Sequence, residues 1–380
     1  MDGADLAKGA TMHPCSISVR EHAERLSQTE LPRLLSYVEA IAEATAQEME
    51  RDPEVFVMGI DVDDHKAIQG STRELVQRFG SERVFTTPLS EDAMTGVAIG
   101  AAMAGMRPIH VHIRMDFLML CMNQLINIAA KSHYMYGGSI NVPLVVRSII
   151  GKSWGQGAQH SQALQAMFMH VPGLKVVAPS NAHDAKGCLI AAIRDNNPVI
   201  FIEHRLLYFT EAPVAEEMFV VSLGHARICA RGDDVTIVGI SNMLMECLRA
   251  RELLAEVGIF AEVIDPITLV PLDIDTIIES VRRTRTLVVV DNGWTCCGAS
   301  AEIIAAVTER LGPNSGIVMR RIGLAPTTCP TTPWLEQHFY PNSATIAEAV
   351  NRILRPRDPP WRPAADQAKL AYHLQFRGPF

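Results

Sequence analysis

R-V-F-T-T-P-L-S-E-D-A-M-T-G-V-A-I-G-A-A-M-A-G, running from Arg83 to Gly105, decides the fold. Val84 to Thr87 is a short β-rich run that breaks at Pro88. The helix that follows, Thr95 to Gly105, is small, apolar and studded with glycine, so it is expected to lie deep and pack closely. Ser90 fits an N-cap, with Glu91 and Asp92 in the first turn where the helix dipole favours negative charge. An acid at the mouth of such a helix is either a cap on that dipole or a buried carboxylate with a chemical task. Spacing alone leaves both open.

Strand, break and helix then recur on either side. Apolar residues at helical spacing predict a helix over Leu34–Arg51, ended by Pro53, and Val55–Ile60 reads as a buried parallel strand. A helix around Thr72–Phe79 leads back to the Val84 strand. Pro108–Ile113 alternates like a strand, and Asp116–Ser132 has the pattern of one long amphipathic helix. Val142–Ile150, Val176–Ala178 and Pro198–Glu203 are further buried strands. Glu211–Phe219, with Pro213 and a charged pair, reads as a linker, after which the alternation restarts with strands at 234–239, 261–265, 286–291 and 318–322 and helices between them. Such alternation predicts an α/β chain of two doubly wound domains. The boundaries are an N-terminal arm at 1–33, a first domain at 34–210, a linker at 211–220, a second domain at 221–355 and a proline-rich tail at 356–380.

Composition narrows the class. The 380 residues hold two cores comfortably, and 48% hydrophobic with 20% charged residues is ordinary for a globular protein. A net charge of -8 without an acidic or basic block argues against nucleic acid. The eight cysteines are scattered with no C-x-x-C pair, the pattern of reduced thiols in a cytoplasmic protein. No signal peptide or membrane span is visible.

Four features carry chemistry. Glu91 is the first. The second is the polar, glycine-rich loop Gly151–Gln162, G-K-S-W-G-Q-G-A-Q-H-S-Q, placed where open α/β sheets bind ligands. His160 is read at the start of the next helix, where the dipole would favour neutral imidazole; a helix-capping Gln-His-Ser is the alternative. The third is His110, His112 and Arg114, on one face of a strand by period two. Without a carboxylate or cysteine they suit a polar or anionic substrate, or a structural role, rather than a metal. The fourth is A-A-I-R-D-N-N-P, Ala191–Pro198, a helix end whose unpaired carbonyls would take water or a monovalent cation. Absent are G-x-G-x-x-G after a strand, a P-loop, G-x-S-x-G and H-E-x-x-H. A Gly-Asp-Gly with a later asparagine, the Mg-diphosphate clamp of thiamine diphosphate, is absent too.

From about Leu34 to Leu354 the chain resembles the β subunit of the decarboxylating component of 2-oxo acid dehydrogenase complexes, of the pyruvate, branched-chain and acetoin type. The motifs are E-R-V-F-T-T-P-L-S-E, G-A-A-M-A-G-M-R-P-I, N-Q-L-I-N-I-A-A-K, G-A-Q-H-S-Q, H-V-P-G-L-K-V-V-A-P-S and A-A-I-R-D-N-N-P-V-I-F-I-E-H. D-P-I-T-L-V-P-L-D and F-Y-P in the second domain extend them. The resemblance implies a transketolase-like pyrimidine-binding domain followed by a transketolase C-terminal-type domain. It also implies an α2β2 heterotetramer with thiamine diphosphate between subunits, the α partner binding diphosphate and Mg²⁺.

In that family Glu91 matches the glutamate bonded to N1′ of the aminopyrimidine, which helps the 4′-nitrogen remove the thiazolium C2 proton. Phe117 matches the aromatic stacked on the pyrimidine and Leu89 its apolar neighbour. His160 matches the histidine near the reactive carbon. The carbonyls of Leu144, Ala192, Ile193, Asp195 and Asn197 match a structural potassium site. Departures cluster on the expected substrate side: Ile60 for an acid, Met94 for phenylalanine, Leu120 for glutamine, a rewritten S-I-I-G-K-S-W-G-Q-G loop, and His110, His112 and Arg114. The expectation is therefore a dehydrogenase β subunit that decarboxylates a 2-oxo acid and passes the acyl group to a lipoyl-bearing acyltransferase. The alternative is a transketolase-like transferase that loads a two-carbon unit from a ketose phosphate onto an acyl carrier protein. His112, Arg114 and Lys152 would serve a phosphorylated or hydroxylated donor. A third reading is an assembly subunit without catalysis.

Overall fold

Two largely parallel sheets organise the chain, and each residue pattern explains its strand. In the computed structural model residues 33–64, 67–151 and 155–364 are described. The expectations for the N-terminal arm before Arg33 and for the tail beyond Ala364 lie outside them. β1 (Leu34–Ser36) pairs antiparallel with a strand from the expected linker, Glu211–Pro213. The helix expected from Leu34 therefore starts at Tyr37. Ser36 caps it, its Oγ accepting from Glu39 N while Glu39 Oε2 accepts from Ser36 N at 3.0 Å.

β2 (Val55–Gly59), β3 (Val84–Thr86), β4 (Arg107–His112), β5 (Val145–Ile150), β6 (Lys175–Val177) and β7 (Val199–His204) make the first sheet in the order β6-β7-β5-β4-β2-β3, all parallel. Period two sorts its side chains. Phe56, Met58, Val146, Ile200 and Ile202 face the helix Glu91–Met103 and the segment 115–135. Val55, Val57, Ile109, Val145 and Phe201 face the helices Tyr37–Arg51 and Ala182–Arg194. The long helix expected over Asp116–Ser132 is three irregular turns instead: a 3₁₀ stretch Met115–Cys121, a π stretch Gln124–Ala129 and an α-helix Ala130–Met135. Its apolar spacing still buries Met115, Leu118, Cys121, Leu125 and Ala129, so the pattern found the face but not the winding.

On the same β-face as Phe201, Arg147 and Glu203 are wholly buried, with Nε to Oε1 at 2.5 Å and Nη2 to Oε2 at 2.9 Å. Arg147 Nη2 also donates to Ser71 Oγ at 2.8 Å, and Tyr208 donates its hydroxyl to Glu203 Oε2 at 2.7 Å. Two charges taken from water this completely persist only with such extra bonds.

After β8 (Glu211–Pro213) come β9 (Arg227–Ala230), β10 (Val235–Gly239), β11 (Ala261–Asp265), β12 (Thr268–Val270), β13 (Thr286–Trp294) and β14 (Val318–Leu324). The second sheet runs β14-β13-β10-β11-β9, parallel except for β9. Helices Met243–Ala255 and Ser343–Leu354 cover one side, and Ile274–Thr284 with Ala299–Leu311 the other. β12 leaves this unit and adds itself antiparallel to β6, at the edge of the first sheet. That crossing was not legible in a three-residue apolar run. The described residues from Leu34 onward form one compact unit. Among the described residues all seven cysteines are free, and no helix is long and apolar enough to cross a membrane.

Candidate functional site

The helix at the centre of the opening stretch spans Glu91–Met103 and starts at the acid itself. Ser90 holds the N-cap position, yet its side chain makes no capping bond, so Glu91 and Asp92 in the first turn are what meet the dipole. Nor does the helix lie deep on all sides. Thr95, Ala98, Ile99 and Ala102 are buried, whereas Leu89 and Val97 stand 77% and 55% exposed. Apolar side chains in the open beside a helix mouth are surface that a neighbour would cover. The Glu91 carboxylate is half-buried and makes no hydrogen bond or ion pair among the described residues.

The 3₁₀ stretch Met115–Cys121 joins this helix to the glycine-rich loop. At its far end Cys121 is near enough to Asp92 and Glu91 that their charge, after burial, helps push its thiol up to about 11. At its near end the ring of Phe117 meets His160 edge to face, centroids 5.4 Å apart and planes at 74°. Asp116 fixes that meeting: its Oδ1 accepts from Gln162 N at 3.2 Å and Gln162 Nε2 at 2.8 Å. Burial raises the Asp116 carboxyl, opposed by those two bonds. His160 itself is not at a helix start. The helix begins at Gln165 and runs only to Met169, so the dipole argument finds no helix there. Loop geometry, not a helix end, places the imidazole.

The strand histidines divide from the basic residue that follows them. His110 and His112 lie on one face of β4 with ring centroids 4.2 Å apart, and His110 Nδ1 is 3.4 Å from Met58 O. Both Nε2 atoms are buried without a partner. Burial lowers His110 to about 4 and, with the neighbouring ring, holds His112 well below the usual histidine range. Two such rings are a structural pair inside the sheet. Arg114, just past the strand, stands beside Arg205: burial, then the charge of Arg114, brings Arg205 down to about 10. Burial also lowers Arg114, with Asp116 opposing. Lys152 lies outside the described residues.

Several of the carbonyls expected to be unpaired after the helix Ala182–Arg194 are taken. Arg107 donates from Nη1 to Ile193 O at 2.9 Å and Asp195 O at 3.2 Å. Ala192 O accepts from Asp195 N at 3.2 Å, and Leu144 O from Val199 N at 2.9 Å. The chain's own guanidinium thus takes two of the five carbonyls, and backbone N–H groups take two more. A carbonyl oxygen keeps a second lone pair, so the loop fits a monovalent cation only alongside Arg107.

A groove of about 980 Å³ lies elsewhere, lined by Met122, Ile126, His170, Leu269, Cys297 and Glu302 among others. It holds none of the residues singled out above. Phe117, Asp116 and His160 meet outside that groove, with Asp116 buried and Glu91, Phe117 and His160 half-buried. Nothing in the sequence marks Asp116 or Arg205 for the site: Asp116 only adjoins Phe117, and Arg205 only follows a buried strand.

A family model for the transketolase pyrimidine-binding domain matches residues 34–210, and one for the transketolase C-terminal domain matches residues 224–346. The chain is 42% identical over 337 residues to the "Acetoin:2,6-dichlorophenolindophenol oxidoreductase subunit beta" of Cupriavidus necator, covering 86% of this chain and 99% of that one. It is 43% identical over 318 residues to the "Pyruvate dehydrogenase E1 component subunit beta-1, mitochondrial" of Arabidopsis thaliana, covering 83% and 88%. A solved "Split gene transketolase, inactive beta4 tetramer" shares the fold with a TM-score of 0.69 at 21% identity, over 84% of this chain and 98% of that one. Two transketolase-type domains in this order, and relatives matched nearly end to end, place the chain in the family of pyruvate and acetoin dehydrogenase E1 β subunits.

Proposed function

We propose that this chain is the pyrimidine-side subunit of a thiamine-diphosphate enzyme that decarboxylates a 2-oxo acid and passes on the acyl group. The observation that supports it best is the unpartnered Glu91 carboxylate at a helix mouth, joined through Met115–Cys121 to the Phe117–His160 contact. An acceptor awaiting a donor, an apolar side chain and an aromatic ring suit an aminopyrimidine. When bound, thiamine diphosphate supplies a carbon nucleophile that makes the bond beside a substrate carbonyl breakable.

The chain's residues have the remaining tasks. Glu91 holds a proton at the pyrimidine ring nitrogen, Leu89 and Phe117 exclude water from the ring, and His160 moves a proton near the reacting carbon. The sequence carries no Gly-Asp-Gly clamp, so Mg²⁺ and diphosphate fall to an α partner in an α2β2 assembly. A lipoyl-bearing acyltransferase then takes the acyl group. The chain works in the cytoplasm, with the domain division at 34–210 and 221–355 and a potassium ion on the carbonyls of Leu144, Ala192, Ile193, Asp195 and Asn197.

Titration of thiamine diphosphate into this chain alone and into its complex with the α partner tests the proposal. Tight binding is expected only in the complex, and binding unchanged by Glu91→Gln would remove Glu91 from the site. One observation favours a second reading: Arg114 beside Arg205 suits an anionic donor such as a ketose phosphate, with an acyl carrier protein thiol as acceptor. Carbon dioxide release from 2-oxo acids against consumption of ketose phosphates separates the two. An assembly subunit without catalysis would show neither.

A further inference from the structure

His160 lies in a segment without regular secondary structure. Residues 155–164 contain no helix or strand, so the loop is set by what it packs against. Two of those contacts come from the second α/β unit. Gly155 and Gly157 adopt φ of +78° and +70°, and a Cβ on them would stand 2.4 Å from Thr331 O and 2.8 Å from Thr331 Cγ2. At the loop's end Gln165, 2% exposed, donates from Nε2 to Asp291 Oδ1 at 2.7 Å and to Asn292 Oδ1 at 2.8 Å. An amide nitrogen has two protons, and both are spent on these residues of β13. Asp291 is wholly buried, and besides Gln165 its Oδ1 takes the Gly293 N–H at 3.0 Å. A buried carboxylate needs such donors, so the side chain at 165 must offer N–H groups.

We infer that Gln165 is a positioning residue: through Asp291 and Asn292 it ties the His160 loop to the second α/β unit, and this tie sets where the imidazole stands. The inference rests on the role proposed for His160. Contacts 126 and 127 residues apart along the chain make the second domain part of the site's geometry rather than only of its stability.

Gln165→Glu tests it by setting a carboxylate against Asp291, and Gln165→Glu with Asp291→Asn reverses donor and acceptor. In the chain alone, amide exchange over 155–162 should speed up about tenfold in Gln165→Glu and return to within about threefold of the parent in the swap. In the assembled enzyme, acyl transfer should fall about 10- to 100-fold in Gln165→Glu, in line with a displacement near 1 Å, and recover in the swap. Adding Gln165→Glu to His160→Ala should cost nothing more. Parental exchange in Gln165→Glu overturns the tie. Loosened exchange with unchanged acyl transfer overturns the positioning role. His160→Ala with full activity would sink the role of His160 alone, since the exchange result still judges the tie.

Discussion

Asp116 accepts two hydrogen bonds from Gln162, at 3.2 Å from the backbone N and 2.8 Å from Nε2, and that pair holds Phe117 edge-on to His160. The two residues lie on either side of β5 along the chain, so the bonds tie the Met115–Cys121 stretch to the His160 loop. Asp116→Ala should leave two part-buried donors without their acceptor, costing about 1 kcal/mol of stability, and should lower acyl transfer with it. Asp116→Asn keeps an acceptor and should retain most of both. Denaturant unfolding and single-turnover kinetics on the two variants check this, and equal loss in both would mean that acceptance is not the point.

Glu91→Ala should abolish turnover of the assembled enzyme, while stability changes by no more than about 1 kcal/mol, the size of a first-turn dipole contact. Assembly with the α partner, followed by size-exclusion chromatography, should be unaffected. Near-normal turnover would refute the site.

His110 and His112 should make the protein acid-sensitive. Burial depresses both, so each is neutral in the fold at pH values where the unfolded chain is already protonated. Their stabilisation is full above the unfolded value near 6.5 and is lost as pH falls through the folded values. For His110, lowered to about 4, the loss amounts to about 3 kcal/mol across that window. Unfolding free energies measured from pH 7 to 4 should fall accordingly, and His110→Phe should flatten the curve.

Breaking the buried Arg147–Glu203 pair from one side should be severe. Glu203→Gln or Arg147→Met leaves an uncompensated buried charge, costing about 3–5 kcal/mol, whereas Arg147→Met with Glu203→Leu should recover much of it. Equilibrium denaturation gives the comparison. A double variant no better than the worse single would show that Ser71 and Tyr208, not the charges, dominate.

Arg107 offers a test of the cation loop. Arg107→Ala should lower the melting temperature in choline chloride by about 2–4 °C, as expected for about 1 kcal/mol, with potassium chloride restoring part of it. A melting temperature indifferent to potassium in both proteins would assign the carbonyls to Arg107 alone.

Local pattern determined much of this protein. Alternating apolar runs and helical spacing were enough for two α/β units, since burial on both faces of a parallel sheet writes itself into contiguous residues. Glu91 and His160 also stood out as candidates from their own runs of neighbours, whereas Phe117 entered only through the family resemblance. Only the tertiary structure decided how they are held. β12 joins the first sheet from the second unit, Asp116 reaches Gln162 across 46 residues and Gln165 reaches Asp291 across 126. Arg107 fills carbonyls that the chain pattern leaves open, and His160 belongs to a loop where a helix start was expected. Such contacts depend on which buried donor finds which buried acceptor once the sheets are packed, and no period along the chain encodes that choice.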